Sequence, residues 1–180
     1  EGFDFLEGGP GDDTLDGGSD FDTAQYIGAT AGVTVDLAIA GPQNTIGAGS
    51  DTLIDMEDLF GSGHDDTLLG SSSDNYIWGF GGNDDIDGRE DNDVIEGMGG
   101  NDVLIGGDGD DLIAGGTESD ALLGDFNSTS GANPGGDDDL QGGGDLDVLV
   151  GGLGEDHLDG GAGDDYLLNG VGLVNVNAAN

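Results

Sequence analysis

From Gly61 to Leu168 a single large aliphatic residue returns at every ninth position, with six turn-forming residues between one short apolar cluster and the next. The units read GSGHDDTLL, GSSSDNYIW, GFGGNDDID, GREDNDVIE, GMGGNDVLI, GGDGDDLIA, GGTESDALL, GDFNSTSGA, NPGGDDDLQ, GGGDLDVLV, GGLGEDHLD and GGAGDDYLL. In that frame position one is Gly in eleven of twelve units, position six is Asp in ten, and position eight is Leu or Ile in eleven. Six turn formers followed by three strand residues make a short strand between tight turns, with the side chain at position eight pointing inward. Two units close one turn of a coil. Successive turns then stack as two parallel sheets, about 4.8 Å per layer, around a thin aliphatic core. The fold class predicted is an all-β solenoid.

The phase divides the chain. Two further units start at Gly8 and Gly17, and Glu1 to Glu7 fits the tail of a preceding one, so the chain opens inside a repeat and reads as a piece of a longer protein. Between Tyr26 and Phe60 the frame is lost, because Gly17 and Gly61 lie 44 residues apart, which is not a multiple of nine. That stretch holds the alternating strand GVTVDL (Gly32 to Leu37), the loop PQNTIGAGS, and DTLIDMEDLF, whose Leu59 already occupies the apolar column. The expected organisation is repeats over 1–25, an extended crossover over 26–60, a twelve-unit roll over 61–168 and a cap or tail over 169–180. The unit GDFNSTSGA lacks both the Asp and the aliphatic and is expected to loop out. The stretch after Leu168 puts Val174 where Asp belongs, which ends the acidic column.

Composition sharpens the picture. Forty acidic residues against the lone cation Arg89 give a formal charge of −39, which excludes nucleic acid and anionic membrane surfaces as partners. With 34% hydrophobic and 6% aromatic residues such a chain is predicted to stay disordered unless something cross-links it, and cysteine is absent. No apolar run is long enough to cross a membrane. Stacking aligns the position-six residues two units apart. One side reads Asp66, Asp84, Asp102, Asp120, Asp138, Asp156, and the other Asn75, Asp93, Asp111, Thr129, Asp147, Asp165; upstream, Asp4 and Asp22 share a side and Asp13 faces the other. Carboxylates at that spacing repel by roughly 3 to 4 kcal/mol per pair at an effective dielectric of about 20. A divalent ion between each pair reverses the sign, and an all-oxygen cage suits Ca²⁺.

The pattern GGxGxDxUx, with U a large aliphatic, resembles the calcium-binding nonapeptide of the repeats-in-toxin (RTX) family, over roughly 130 of the 180 residues. What the resemblance implies is a parallel β-roll. Its cages would add to the Asp side chains the carbonyls of loop residues such as Gly79, Gly81, Gly82, Gly97, Gly99, Gly100, Gly106, Gly107, Gly109, Gly115, Gly136, Gly151, Gly154, Gly160 and Gly163. Five sites are expected on the first side (66/84 through 138/156), two on the second (93/111 and 147/165), and Asn75/Asp93 as a further candidate, for about seven to ten ions in all. The resemblance also implies a bacterial protein exported unfolded through a one-step (type I) secretion channel and folded by calcium outside the cell. Its role would be the folding and stabilising module of a larger secreted enzyme, such as a protease, lipase or polysaccharide epimerase, with a spacer in a secreted adhesin as the alternative. A neighbouring domain of the same polypeptide is the expected partner.

No catalytic residue is expected. His64 and His157 are the only imidazoles, and neither HExxH nor GxSxG occurs. Column-five acids such as Asp12, Asp110, Asp137 and Asp164 read as solvated charge. Positions seven and nine face outward. In the expected stacking one sheet presents Tyr76, Trp78, Val94, Glu96, Leu112, Ala114, Val148, Val150, Tyr166 and Leu168, an apolar face expected to be covered by the Gly28 to Leu59 crossover or by another domain.

Overall fold

Short strands joined by Gly-rich turns wind into a two-sheet coil in the computed structural model, which describes residues 2–125, 135–169 and 173–174. Among the described residues there is no helix. The first sheet runs Phe5–Leu6, Thr23–Gln25, Asp58–Phe60, Tyr76–Gly81, Val94–Gly99, Leu112–Thr117, Asp139–Gly144 and His157–Ala162. The second runs Thr34–Asp36, Thr67–Leu69, Asp85–Glu90, Val103–Asp108, Ala121–Leu123, Val148–Val150, Tyr166–Leu168 and Leu173–Val174. Every pairing in both is parallel except the last, where Leu173–Val174 turns back against Leu167 and Leu168. This is the parallel β-roll.

Register places like on like. Ile77, Ile95, Ile113, Leu140 and Leu158 are successive partners in one sheet, and Leu68, Ile86, Leu104, Leu122, Leu149 and Leu167 in the other. Most are 0 or 1% exposed, so the core is a double file of aliphatic side chains, one per unit. Full burial of such a side chain contributes roughly 1.5–3 kcal/mol. The file ends loosely, with Leu158 only half-buried.

One register jump changes the topology. Elsewhere in the roll partners are 18 residues apart, but Leu112 pairs with Asp139 and Ala121 with Val148, a step of 27. The register of the described residues thus steps over nine extra residues between Asp125 and Gly135, and the unit GDFNSTSGA expected to loop out lies, from residue 126 on, outside the described residues. Nine residues are half a turn. Every strand after the gap therefore sits in the sheet opposite to the one that simple counting assigns. The expected apolar face is corrected accordingly: Val148, Val150, Tyr166 and Leu168 join Val103, Ile105, Ala121 and Leu123 on the second sheet, while Asp139, Gln141, His157 and Asp159 follow Leu112 and Ala114 on the first.

The crossover does not cover either face. It lies in the stack: Thr34–Asp36 pairs with Thr67–Leu69, Asp58–Phe60 pairs with Thr23–Gln25 and Tyr76–Gly81, and Ser50–Ile54 lies between Thr14–Asp16 and Gln43–Asn44 in a small third sheet. Arg89 clamps it to the roll, with a bidentate ion pair to Asp36 (2.8 Å for each bond) and a third bond to the carbonyl of Gly70 at 2.9 Å. Phe60 stacks flat on Trp78, centroids 4.6 Å apart, as expected of identical positions on adjacent rungs.

Candidate metal ladders

Each loop of the roll delivers its position-six side chain into the turn, where every described aspartate accepts a hydrogen bond from the backbone of the preceding rung. On one ladder the N–H of Asp66 donates to Oδ1 of Asp84 (2.9 Å), Asp84 to Asp102 (2.8 Å), Asp102 to Asp120 (2.9 Å), Asp120 to Asp147 (2.8 Å) and Asp147 to Asp165 (3.1 Å). On the other Asn75 donates to Asp93 (2.8 Å), Asp93 to Asp111 (2.8 Å), Asp111 to Asp138 (2.9 Å) and Asp138 to Asp156 (3.3 Å). The expected neighbours Asp120 and Asp138 are therefore separated, because the half-turn register step exchanges the ladders. The pairs 138/156 and 147/165 survive on the sides opposite to those expected. Thr129 lies outside the described residues.

The second carboxylate oxygen is left over. Oδ2 of Asp13, Asp22, Asp84, Asp93, Asp102, Asp111, Asp120, Asp138, Asp147, Asp156 and Asp165 is buried and meets no donor. Each is aimed at the position-one glycine of its own loop, except that of Asp138, whose unit begins with Asn133 and whose Oδ2 is aimed at Gly124. A Cβ on Gly97 would collide with Oδ2 of Asp102 and stand 2.9 Å from the carbonyl oxygen of Gly115 one rung on, and Gly79, Gly88, Gly115 and Gly142 repeat the arrangement. Carboxylate and carbonyl oxygens thus converge with nothing positive among them. Such a donor set fits Ca²⁺, which takes six to eight oxygens, and not a soft metal.

Glycine serves two purposes here. Position one needs the absence of a Cβ. Positions two and four need left-handed backbone: Gly107 and Gly116 at position two have φ of +122° and +115°, and Gly100 and Gly109 at position four +131° and +140°. Non-glycine residues accept the same strain, as Phe80, Arg89 and Met98 do at position two.

Burial without a counter-charge is visible in the acidities. Asp84, Asp93, Asp111, Asp120 and Asp138 are each raised to about 7, first by desolvation and then, against the lowering effect of the backbone N–H, by neighbouring carboxylates. Asp102 and Asp147 are raised for the same reasons.

Several participants were not foreseen from the sequence. Asp51 accepts from the N–H of Asp13 at 3.0 Å and Glu57 from that of Asp22 at 2.9 Å, so both occupy ladder positions inside the crossover. Their signal was present, an acid two residues before the buried Leu53 and Leu59, but chain separations of 38 and 35 residues hid it. Asp125 ties together the two sides of the register step, accepting from the N–H of Gly136 (3.3 Å) and Leu153 (2.9 Å). Column five is also more than solvated charge. Its side chains form an outer ladder of opposite polarity, in which the N–H of Asn92 donates to Asp74, Asp110 to Asn92, Asp137 to Asp110 and Glu155 to Asp137, at 2.8–3.0 Å. Upstream, Asp4 donates to Asp22 at 2.8 Å, sharing its side as expected.

The RTX calcium-binding nonapeptide repeat matches this chain in four copies, over residues 1–24, 60–95, 87–122 and 135–167. No curated protein matches it. Between them the matched stretches leave out residues 25–59 and 123–134, the two places where the register of the described residues departs from its period.

Proposed function

Because the chain belongs to the RTX calcium-binding nonapeptide repeat family, we propose that it is the calcium-driven folding module of a larger secreted bacterial protein. It stabilises that protein outside the cell and carries no catalytic chemistry of its own. The observation that supports this reading most directly is the row of buried, donor-less Oδ2 atoms. A row of desolvated anions opposes folding, and an ion lodged between rungs turns it into a cross-link. Four rung pairs on one ladder (84/102, 102/120, 120/147, 147/165) and three on the other (93/111, 111/138, 138/156) join such carboxylates. These are the positions assigned to Ca²⁺, with carbonyls of the position-one glycines alongside.

Ions that bind the folded chain and not the unfolded one add to stability by mass action, about 2.7 kcal/mol for each site at a hundred times its Kd. Several together convert a calcium gradient into a folding switch. At the low calcium of a bacterial interior the chain stays extended, and at extracellular concentrations it folds. The test is circular dichroism through a calcium titration, reversed with chelator, alongside metal analysis of the gel-filtered protein. The reading expects β signal and bound calcium to rise and fall together; a β signal of full amplitude in metal-free protein would overturn it.

A further inference from the structure

The ladders are not uniform, and the exceptions are contiguous. Asp66 has no orphaned oxygen: its Oδ2 accepts from the N–H of Ser62 at 2.6 Å and its Oδ1 from the Ser62 hydroxyl at 2.8 Å and from the N–H of Val33 at 2.7 Å. Asn75 is closed likewise. Its Oδ1 accepts from the N–H of Ser71 at 2.7 Å, and its Nδ2 donates to the carbonyl of Glu57 on the preceding rung at 2.6 Å. Oδ2 of Asp51 accepts from the Thr45 hydroxyl at 3.0 Å, and Glu57 is half-exposed to water. Orphaned carboxylates therefore stand on both flanks, at Asp13 and Asp22 and again from Asp84 onward, with none at Asp51, Glu57, Asp66 or Asn75.

A difference in loop chemistry accounts for this. Ser62 and Ser71 occupy position two without the left-handed backbone of Phe80, Arg89 and Met98 at the same position. The N–H groups of both serines and the Ser62 hydroxyl turn into the loop and supply donors that the other loops lack, while the Ser71 hydroxyl accepts from Nδ2 of Asn75. At Asn75 an amide N–H bridges to the preceding rung in place of an ion. The same block carries the Arg89–Asp36 ion pair, the mutual hydrogen bonds of Asp36 and Gln43 (2.8 and 3.0 Å), and the Phe60–Trp78 stack with Phe80 edge-on. None of these ties calls for a metal ion.

Building on the calcium-coupled reading above, we propose that the rungs from Asp51 to Asn75 take no calcium, and that this protein-closed block orders at lower calcium than the repeats on either side and seeds the roll. The motif G-S-x-x-x-[DN], at Gly61 and Gly70, is its sequence mark.

The test uses the full chain in a series of buffered free-calcium concentrations, with Trp78, the only tryptophan, as a fluorescent reporter inside the block. Hydrogen exchange with mass spectrometry follows peptides from 58–81 and from 103–168. Protection at 58–81 and the Trp78 signal are expected to reach their midpoints at free calcium at least about threefold lower than protection at 103–168. Coincident midpoints, or a higher one for 58–81, would overturn the inference and leave the calcium reading standing. No response to calcium in any peptide would overturn both. The double variant Ser71→Gly, Asn75→Asp rebuilds the loop as an ion-requiring one. It is expected to raise the Trp78 midpoint to that of the repeats and to add bound calcium. An unchanged midpoint with an unchanged ion count would overturn the inference.

Discussion

Replacing Asp111 by Asn should move stability in opposite directions with and without calcium. Oδ1 of Asp111 accepts from the N–H of Asp93, a bond the Asn carbonyl keeps, while the orphaned Oδ2 becomes an NH₂ group facing oxygens. Asn75 shows on the same ladder that an amide settles in this position by donating to the rung before it. The Asp111 carboxyl is raised to about 7 from an ordinary value of 3.8, chiefly by burial. A rise of that size corresponds to roughly 2–4 kcal/mol of unfavourable free energy for the ionised form, after allowance for solvent screening. In chelator above pH 7 the variant is freed of that cost and should be more stable by an amount of this order, seen as a higher urea midpoint or a larger β signal. In millimolar calcium it lacks a carboxylate ligand shared by two rung pairs and should bind fewer ions and melt earlier. At pH 5 in chelator the wild-type carboxyl is protonated, so the two proteins should converge. Destabilisation under chelator at pH 8, or the same direction of change in both conditions, would refute the view that these carboxylates are uncompensated charges awaiting an ion.

Three further outcomes follow from the same geometry. A carboxyl whose acidity is weakened by folding keeps its full contribution below the unfolded value of about 4 and loses it as pH rises through about 7; the metal-free chain should accordingly gain β signal on acidification from pH 8 to 5, while calcium affinity falls over the same range as protons compete for Asp84, Asp93, Asp111, Asp120 and Asp138. Gly97→Ala places a methyl group against Oδ2 of Asp102 and the Gly115 carbonyl, and isothermal titration should show loss of ions at that rung, whereas Glu96→Ala, on the outer face of the strand, should leave the ion count unchanged. Deleting residues 126–134 joins Asp125 to Gly135 where Asp125 already holds Gly136 and Leu153, so the shortened chain should bind the same number of calcium ions and melt no lower, with a lower melting point counting against the 27-residue register step.

The period, the strands, the aliphatic file and the column of carboxylates were all legible in the sequence, because each is set within nine residues by turn chemistry and by the two-residue alternation of a strand. The choice of calcium was legible too, since aligned aspartates with no cysteine and a single basic residue admit few other cross-links. What only the tertiary structure decided is which rung lies on which. Nine residues are a full unit of sequence but half a turn of coil, so a register step of 27 in place of 18 leaves the frame undisturbed and yet exchanges the two sides, moving Asp147 above Asp120 and Val148 onto the other sheet. Glu57 and Asp51 entered the ladders for a related reason: stacking joins residues by height along the roll, and an irregular crossover returns to the right height without keeping count of residues.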